Sequence, residues 1–190
     1  KVELSNLQRQ VIHGTGMLGI DKTASAAQRL RDLNPHVNVI PIHEKLIADN
    51  AVQLCADYQI VLGCVDNFAA RYHINAACVA LGRPNVFGSA ARFEGQASVF
   101  AHAGGPCYRC FFRDPPPDDW RPGPEDKAVL GTAPGIIGCI QANEAIKLLL
   151  GIGVTLAGRL LLYDALRMSF RELAVRRDKA CPVCGKGNQP

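Results

Sequence analysis

Residues 58–65 read YQIVLGCV and are followed at once by Asp66 and Asn67. The run is almost continuously apolar, the pattern of a strand covered on both faces, which is the habit of strands in parallel sheets. Asn67–Leu81 then has the spacing of a helix, closed by Gly82-Arg83-Pro84. A buried strand that turns sharply into a helix is one half of a strand–helix–strand unit. Its flanks continue the alternation. Upstream, 22–33 carries apolar or small residues at helical spacing and stops at Asn34-Pro35, 37–43 reads as a strand, and 48–56 as a short helix. Downstream, 85–91 is a strand, 95–102 returns antiparallel to it, 136–150 is a strong helix, and 159–165 and 169–176 are closing strands. This order predicts an α/β fold: a Rossmann-like, largely parallel sheet with helices on both faces and antiparallel C-terminal strands.

Between these elements, residues 103–134 are rich in proline, glycine and charge, with PPPDDWRPGPEDK at the centre. This segment reads as a long crossover loop, with Trp120 as an anchor within it. The sequence is expected to form a single domain over 1–190, with residues 177–190 as a C-terminal tail. One unit usual in nucleotide-binding sheets is missing from the reading. A strand, a glycine-rich turn and a helix ordinarily open such a domain, whereas Lys1-Val2-Glu3 reads as the end of a second strand. The segment HGTGMLG (13–19) matches G-x-G-x-x-G by letter, but no hydrophobic strand precedes it, so its glycines read as loop punctuation rather than a phosphate loop. The expectation is that the sequence is a fragment, or that another segment completes the sheet.

Composition sets the class. The chain has 190 residues, 48% hydrophobic and 20% charged, with a formal net charge of +4. No apolar run reaches the ~18 residues of a membrane span, and KVELSNLQRQ lacks the order of a signal peptide. The basic residues are scattered, and no cluster interleaved with aromatics suggests nucleic acid. The expectation is a soluble, cytoplasmic protein with neither a membrane nor a nucleic-acid partner. Of eight cysteines, Cys107 and Cys110 form one C-x-x-C pair and Cys181 and Cys184 another. Two such pairs fill a tetrahedral zinc site with four thiolates and leave no position open, which makes the role structural. About 70 residues lie between the pairs, far more than in a compact zinc ribbon, so the ion is expected to staple the start of the crossover loop to the tail. Cys64, Cys78 and Cys139 read as buried structural thiols, and His13 and His102 as surface residues.

A second constellation is Asn6, Arg9, Gln10 and Lys22 in the polar opening with Asp66 at the strand's end. Ligands in α/β sheets gather at the C-terminal ends of parallel strands. An aspartate there is suited to a Mg2+ ion, and an arginine fork and a lysine point charge to phosphate oxygens. Read singly, Arg9 and Lys22 are equally surface charges and Asp66 a cap for the following helix.

The joint pattern resembles the MoeB/ThiF/HesA family, bacterial relatives of ubiquitin-activating enzymes. It is carried by SNLQRQ (5–10), Asp21-Lys22, LNP (33–35), CVDN (64–67), the glycine and arginine of GSAARFEGQ (88–96), PCYRC (106–110), GIIGCIQANEAIK (135–147) and CPVC (181–184). The resemblance implies an adenylyltransferase. ATP and the C-terminal Gly-Gly of a ubiquitin-like sulfur-carrier protein of the MoaD or ThiS kind bind side by side, and the carrier carboxylate is joined to AMP for molybdopterin or thiamine-type sulfur incorporation. Asn6, Arg9, Gln10 and Lys22 would meet the ATP phosphates, and Asp66 the magnesium, with Arg9 and Asp66 as the catalytic pair. It also implies a homodimer and a separate sulfur donor, a cysteine desulfurase or rhodanese. Residues 111–134 contain no cysteine, which argues for adenylation without a thioester on the loop. Gly131 and Gly135 would shape the approach of a thin Gly-Gly tail, and Arg92 would be a carrier or dimer contact. A degenerate, non-catalytic zinc scaffold and an NAD-binding oxidoreductase are the alternatives. The missing glycine loop favours the first, and the absence of a ribose-binding acid weighs against the second.

Overall fold

The computed structural model describes residues 1–117 and 128–185. Trp120 and the end of the tail lie outside them. The chain divides into two units, Lys1–Lys45 and Leu46–Pro190.

In the first unit, Val2 is clasped between the backbones of Gly19 and Ile20, its N–H donating to Ile20 O at 2.8 Å and its carbonyl accepting from Gly19 N at 3.0 Å. Two segments start at this clasp. One is a 3-10 turn, Leu4–Asn6, continued by bonds from Arg9 N and Gln10 N to Asn6 O. The other leads into α1, Lys22–Leu33, which ends where Asn34-Pro35 makes further helix costly. Two expected strands are not formed. Lys1–Glu3 has no ladder and runs into the turn. Residues 37–43 are irregular, with Val37 and Ile40 exposed. Pro41 removes a backbone donor in mid-run, and Val39 O is taken by the Arg31 guanidinium at 2.9 Å. The HGTGMLG segment forms a short 3-10 turn, Thr15–Met17, with Gly19 in the left-handed region at φ 80°.

The second unit contains α2 (Ala48–Cys55), β1 (Val61–Gly63), α3 (Phe68–Leu81), β2 (Asn85–Ala91), β3 (Glu94–Phe100), α4 (Tyr108–Phe111), α5 (Thr132–Leu150), β4 (Arg159–Asp164) and β5 (Ser169–Ala174). The sheet order is β1-β2-β3-β4-β5, with β1–β2 parallel and the other three pairings antiparallel. The α/β class and the antiparallel closing strands are as expected. The parallel share is one strand pair, because residues 1–3 and 37–43 supply no strand; the β2–β3 hairpin is antiparallel as expected, Ala91 pairing with Glu94 across a two-residue turn. Arg92 takes φ 51° in that turn, the positive φ that tight hairpins demand.

Side-chain alternation places helices on both faces. Phe87 and Phe100 point toward α3 and α4, packing with Tyr72, Tyr108 and Phe112; Tyr108 stacks on Phe112 with ring centroids 4.7 Å apart. Val86, Ala97 and Val99 point the other way, onto Ile140 and Leu148 of α5. β1 is shorter than the apolar run that announced it, and Leu62 is exposed. The expectation of cover on both faces does not hold there. The parallel ladder stops at Gly63, and the chain turns into α3.

Helix limits follow from caps. Asn67 Oδ1 accepts from Ala70 N at 2.9 Å at the start of α3, and Gly82 at φ 61° closes it. α5 begins at Thr132, earlier than its apolar run implied. Pro134 sits in its first turn, where backbone N–H groups have no helical partner to lose.

One close approach fixes α5 on the sheet. A Cβ on Gly88 would fall 2.3 Å from the Gln141 side chain. Gly88→Ala therefore pushes the Gln141 amide off the carbonyls of Val86 and Gly63, and the expected loss is about 1–3 kcal/mol, read as a lowered denaturant midpoint. A midpoint unchanged from wild type would show that α5 adjusts freely.

Candidate functional site

Asp66 lies just past β1, at the C-terminal end of the one parallel pair of strands among the described residues. The cap of α3 is Asn67, not Asp66, so the capping alternative for Asp66 does not hold. Its carboxylate is exposed and left for other use. The loop beneath it is held from two sides. Arg71, one turn into α3, donates Nε–H to Val65 O at 3.3 Å and a second N–H to Ser89 Oγ at 2.8 Å, its guanidinium resting over Phe68 and Phe87. From the other face, Gln141 of α5, only 4% exposed, donates Nε2–H to Val86 O at 2.9 Å and Gly63 O at 3.3 Å. Its Oε1 accepts from the Cys64 thiol at 3.7 Å. Sequence reasoning gave neither residue a role. The signal available was a lone amide at a core position of an apolar helix, which demands a partner.

Asn6, Arg9, Gln10 and Lys22 belong to the first unit. The turn through 4–10 brings Asn6, Arg9 and Gln10 together at i, i+3 and i+4, hence on one side. Arg9 donates to Ser5 O at 3.3 Å and Asn6 Nδ2 to Ser5 Oγ at 3.4 Å, both contacts near solvent. Gln10 Oε1 is buried without a partner among the described residues. Lys22 is the first residue of α1, and its charge reaches His13. His13 is not the plain surface residue expected. Its Nδ1 lies 2.8 Å from Ser25 Oγ, and burial, then Lys22, push its pKa down.

The four cysteines of the two C-x-x-C pairs converge within the second unit. Cys107 and Cys181 sulfurs are 3.6 Å apart, Cys110 and Cys184 3.3 Å, Cys107 and Cys110 4.0 Å, and all four lie within 4.8 Å of one another. Tetrahedral zinc–thiolate bonds of about 2.3 Å place sulfurs about 3.8 Å apart, so the cluster fits such an ion. Burial pushes the Cys107 thiol well above its ordinary value and Cys110 up to about 11. At Cys181 burial acts upward too, but backbone N–H donors from Cys184 and Val183 outweigh it and bring the pKa down.

A surrounding layer orients the sulfurs. Fully buried Asn75 of α3 donates to Cys107 Sγ at 3.7 Å and accepts from Tyr108 N at 2.7 Å. Asp178 N donates to Cys110 Sγ at 3.4 Å. Arg113 pairs with Asp178 at 2.7 Å, and Arg177 donates to the carbonyls of Cys184 and Gly104. The loop start and the tail are thus tied by polar contacts as well as by sulfur.

The remaining cysteines divide. Cys78 is buried as expected, and burial pushes its thiol up to about 12. Cys64 and Cys139 are exposed, against the expectation of buried thiols. Cys139 lies on the solvent side of α5, and Cys64 sits where the chain leaves the sheet, its thiol turned back onto Gln141. The other end of the crossover loop returns to Arg92, which donates its N–H to Ala128 O and accepts from Leu130 N, each at 2.8 Å.

The sequence model of the ThiF family matches residues 1–183. The sulfur carrier protein adenylyltransferase of Thermus thermophilus is 47% identical over 97% of this chain and 70% of its own. The adenylyltransferase and sulfurtransferase MOCS3 of Sus scrofa is 46% identical over 97% of this chain and 41% of its own. This chain thus spans less than half of MOCS3. Among solved structures, E. coli MccB with MccA-N7isoASN superposes with a TM-score of 0.84 at 16% identity, over 98% of this chain and 58% of that one. E. coli MccB with ATP gives 0.80 at 19%, over 97% and 57%. These two establish likeness of fold.

Proposed function

The chain belongs to the ThiF family, and on that footing we propose that it serves an enzyme that adenylates the C-terminal Gly-Gly carboxylate of a ubiquitin-like sulfur-carrier protein. In the reaction a carboxylate oxygen of the carrier attacks the α-phosphorus of ATP. The bond from that phosphorus to the bridging oxygen breaks, and pyrophosphate leaves. The products are an acyl-adenylate and pyrophosphate.

The observation that carries the reading is the free Asp66 carboxylate at the end of a parallel strand, released from capping by Asn67. A single exposed carboxylate beside phosphate oxygens is how magnesium is commonly held, and the ion would offset charge on the departing pyrophosphate. The chain's own part is positioning and neutralisation. Arg9 offers a planar fork and Lys22 a mobile point charge to the phosphates, while Asn6 and Gln10 add amide contacts.

The four converged cysteines support a structural zinc ion in this reading, closed to substrate by its four protein ligands. The working assembly is a cytoplasmic homodimer, one adenylating domain over 1–190 in each chain, serving a MoaD- or ThiS-type carrier in molybdopterin or thiamine-type sulfur incorporation. A cysteine desulfurase or rhodanese supplies sulfur. No helix among the described residues is long and apolar enough to cross a membrane.

The test is ATP–pyrophosphate exchange by the full natural protein with a purified carrier. Exchange is expected only when the carrier ends in a free Gly-Gly carboxylate, and deletion of the two glycines should reduce it to background. Equal exchange with the truncated carrier would overturn the substrate assignment.

A further inference from the structure

We infer that Gln141 is a positioning residue for the Asp66 carboxylate, acting through the end of β1. This rests on the adenylation reading for its catalytic consequence and on geometry alone for its structural one. Gln141 lies in the middle of α5 among apolar Ile137, Ile140 and Leu148, with the one buried charge near it on the helix, Glu144, already engaged by Leu156 N and Lys147. An amide at such a position is costly to bury without partners. It is retained with each end of the amide engaged: Nε2 gives one hydrogen to Val86 O and one to Gly63 O, and Oε1 receives the Cys64 thiol. Gly88 lacks the Cβ that would fill the space of the amide, so strand and helix are matched at this point.

The location gives the bonds their meaning. Gly63 is the last residue of β1 and the last in register with β2. Beyond it no ladder bond fixes the chain, yet Asp66 must be held three residues on. Gln141 grips the backbone at Gly63 and the side chain of Cys64, where the ladder gives out, and Arg71 grips Val65 O. A helix on one face of the sheet thereby sets where a carboxylate at its rim stands. Small displacements of such a group are expensive: about 1 Å can cost about a hundredfold in rate.

The experiment uses the full natural protein with its carrier and two variants, Gln141→Leu and Gln141→Glu. In Gln141→Leu the three bonds vanish at near-constant volume. Carrier-dependent exchange should fall about a hundredfold, the Mg2+ concentration for half-maximal rate should rise, and KM for the carrier should stay unchanged. Amide hydrogen exchange should speed up across residues 63–67. Gln141→Glu supplies a pH readout. An ionised carboxylate would face the carbonyl oxygens of Gly63 and Val86 and be repelled, whereas the protonated acid restores one donor. Its activity and its protection at 63–67 should therefore recover together as pH falls, a limb the wild type lacks.

Loss of protection without any change in Mg2+ dependence would overturn the inference, as would a Gln141→Glu profile parallel to wild type. If Gln141→Leu does not fold, Gln141→Glu compared with itself across pH decides alone. If the wild type shows no exchange at all, the adenylation reading fails. Hydrogen exchange at 63–67 then still decides whether Gln141 holds the loop.

Discussion

Asp66→Asn is expected to cut carrier-dependent ATP–pyrophosphate exchange by about a hundredfold to a thousandfold while leaving the melting temperature unchanged. The size of the effect comes from asking one charge to face a polyphosphate. Removing one preorganised electrostatic partner of a transition state typically costs that much, and asparagine keeps the shape of aspartate but not its affinity for a divalent cation. The absence of a stability effect follows from the cap. Asn67 closes the first turn of α3 through Ala70 N, and Asp66 is exposed beside it. Exposed substitutions away from caps and buried networks stay within about 0.5 kcal/mol. The measurement pairs exchange assays with a thermal melt. Wild-type exchange in Asp66→Asn would remove Asp66 from the chemistry, and a large drop in melting temperature would make its role structural.

The second large effect concerns the cysteine cluster. Stripping metal with a strong chelator, or making Cys184→Ser, should lower stability by about 4 kcal/mol, which for a chain of this size is a melting shift of roughly 8–16 °C. The contacts that remain cannot make up the difference. The Arg113–Asp178 pair is partly exposed on both sides, and such pairs contribute at most about 1 kcal/mol. Four sulfurs without a cation, three of them on buried residues, are by contrast four polarizable groups packed at 3.3–4.0 Å in three of their contacts, with two of the thiols pushed upward by burial. Metal analysis should return one zinc per chain, and readdition of zinc should restore the melt. An unchanged melt after verified metal loss would refute a structural ion.

Much of this was legible in the sequence because it rests on local rules. The helix at 22–33 was bounded by Asn34-Pro35, and 85–91 by its own β pattern. The C-x-x-C spacing announced a shared site although some 70 residues separate the pairs, since each pair already carries half of a tetrahedron. What was misread rests on partners the sequence does not display. Residues 37–43 have strand composition, but Pro41 and the Arg31 contact draw the backbone away. The apolar run 58–65 forms only a three-residue strand because the chain leaves the sheet after Gly63 on its way into α3, although β2 runs on to Ala91. Asp66 was read as a candidate cap when Asn67, one residue on, had the better geometry. Cys64 and Cys139 were expected inside because their neighbours are apolar; helical phase turned Cys139 outward, and Cys64 is exposed at the strand's end although its thiol reaches back to Gln141. Gln141, Asn75 and Arg71 act through carbonyls, thiols and rings contributed by distant segments, and no motif of consecutive letters records such bonds.

The long connection after β3 is moored at each end. Its beginning is held by Cys107 and Cys110 within the sulfur cluster and by Asn75; its finish is hooked onto the hairpin at Arg92. Neither mooring depends on what lies between residues 117 and 128. The two anchorages are independent of each other, one built on sulfur and a buried amide, the other on backbone hydrogen bonds at a hairpin.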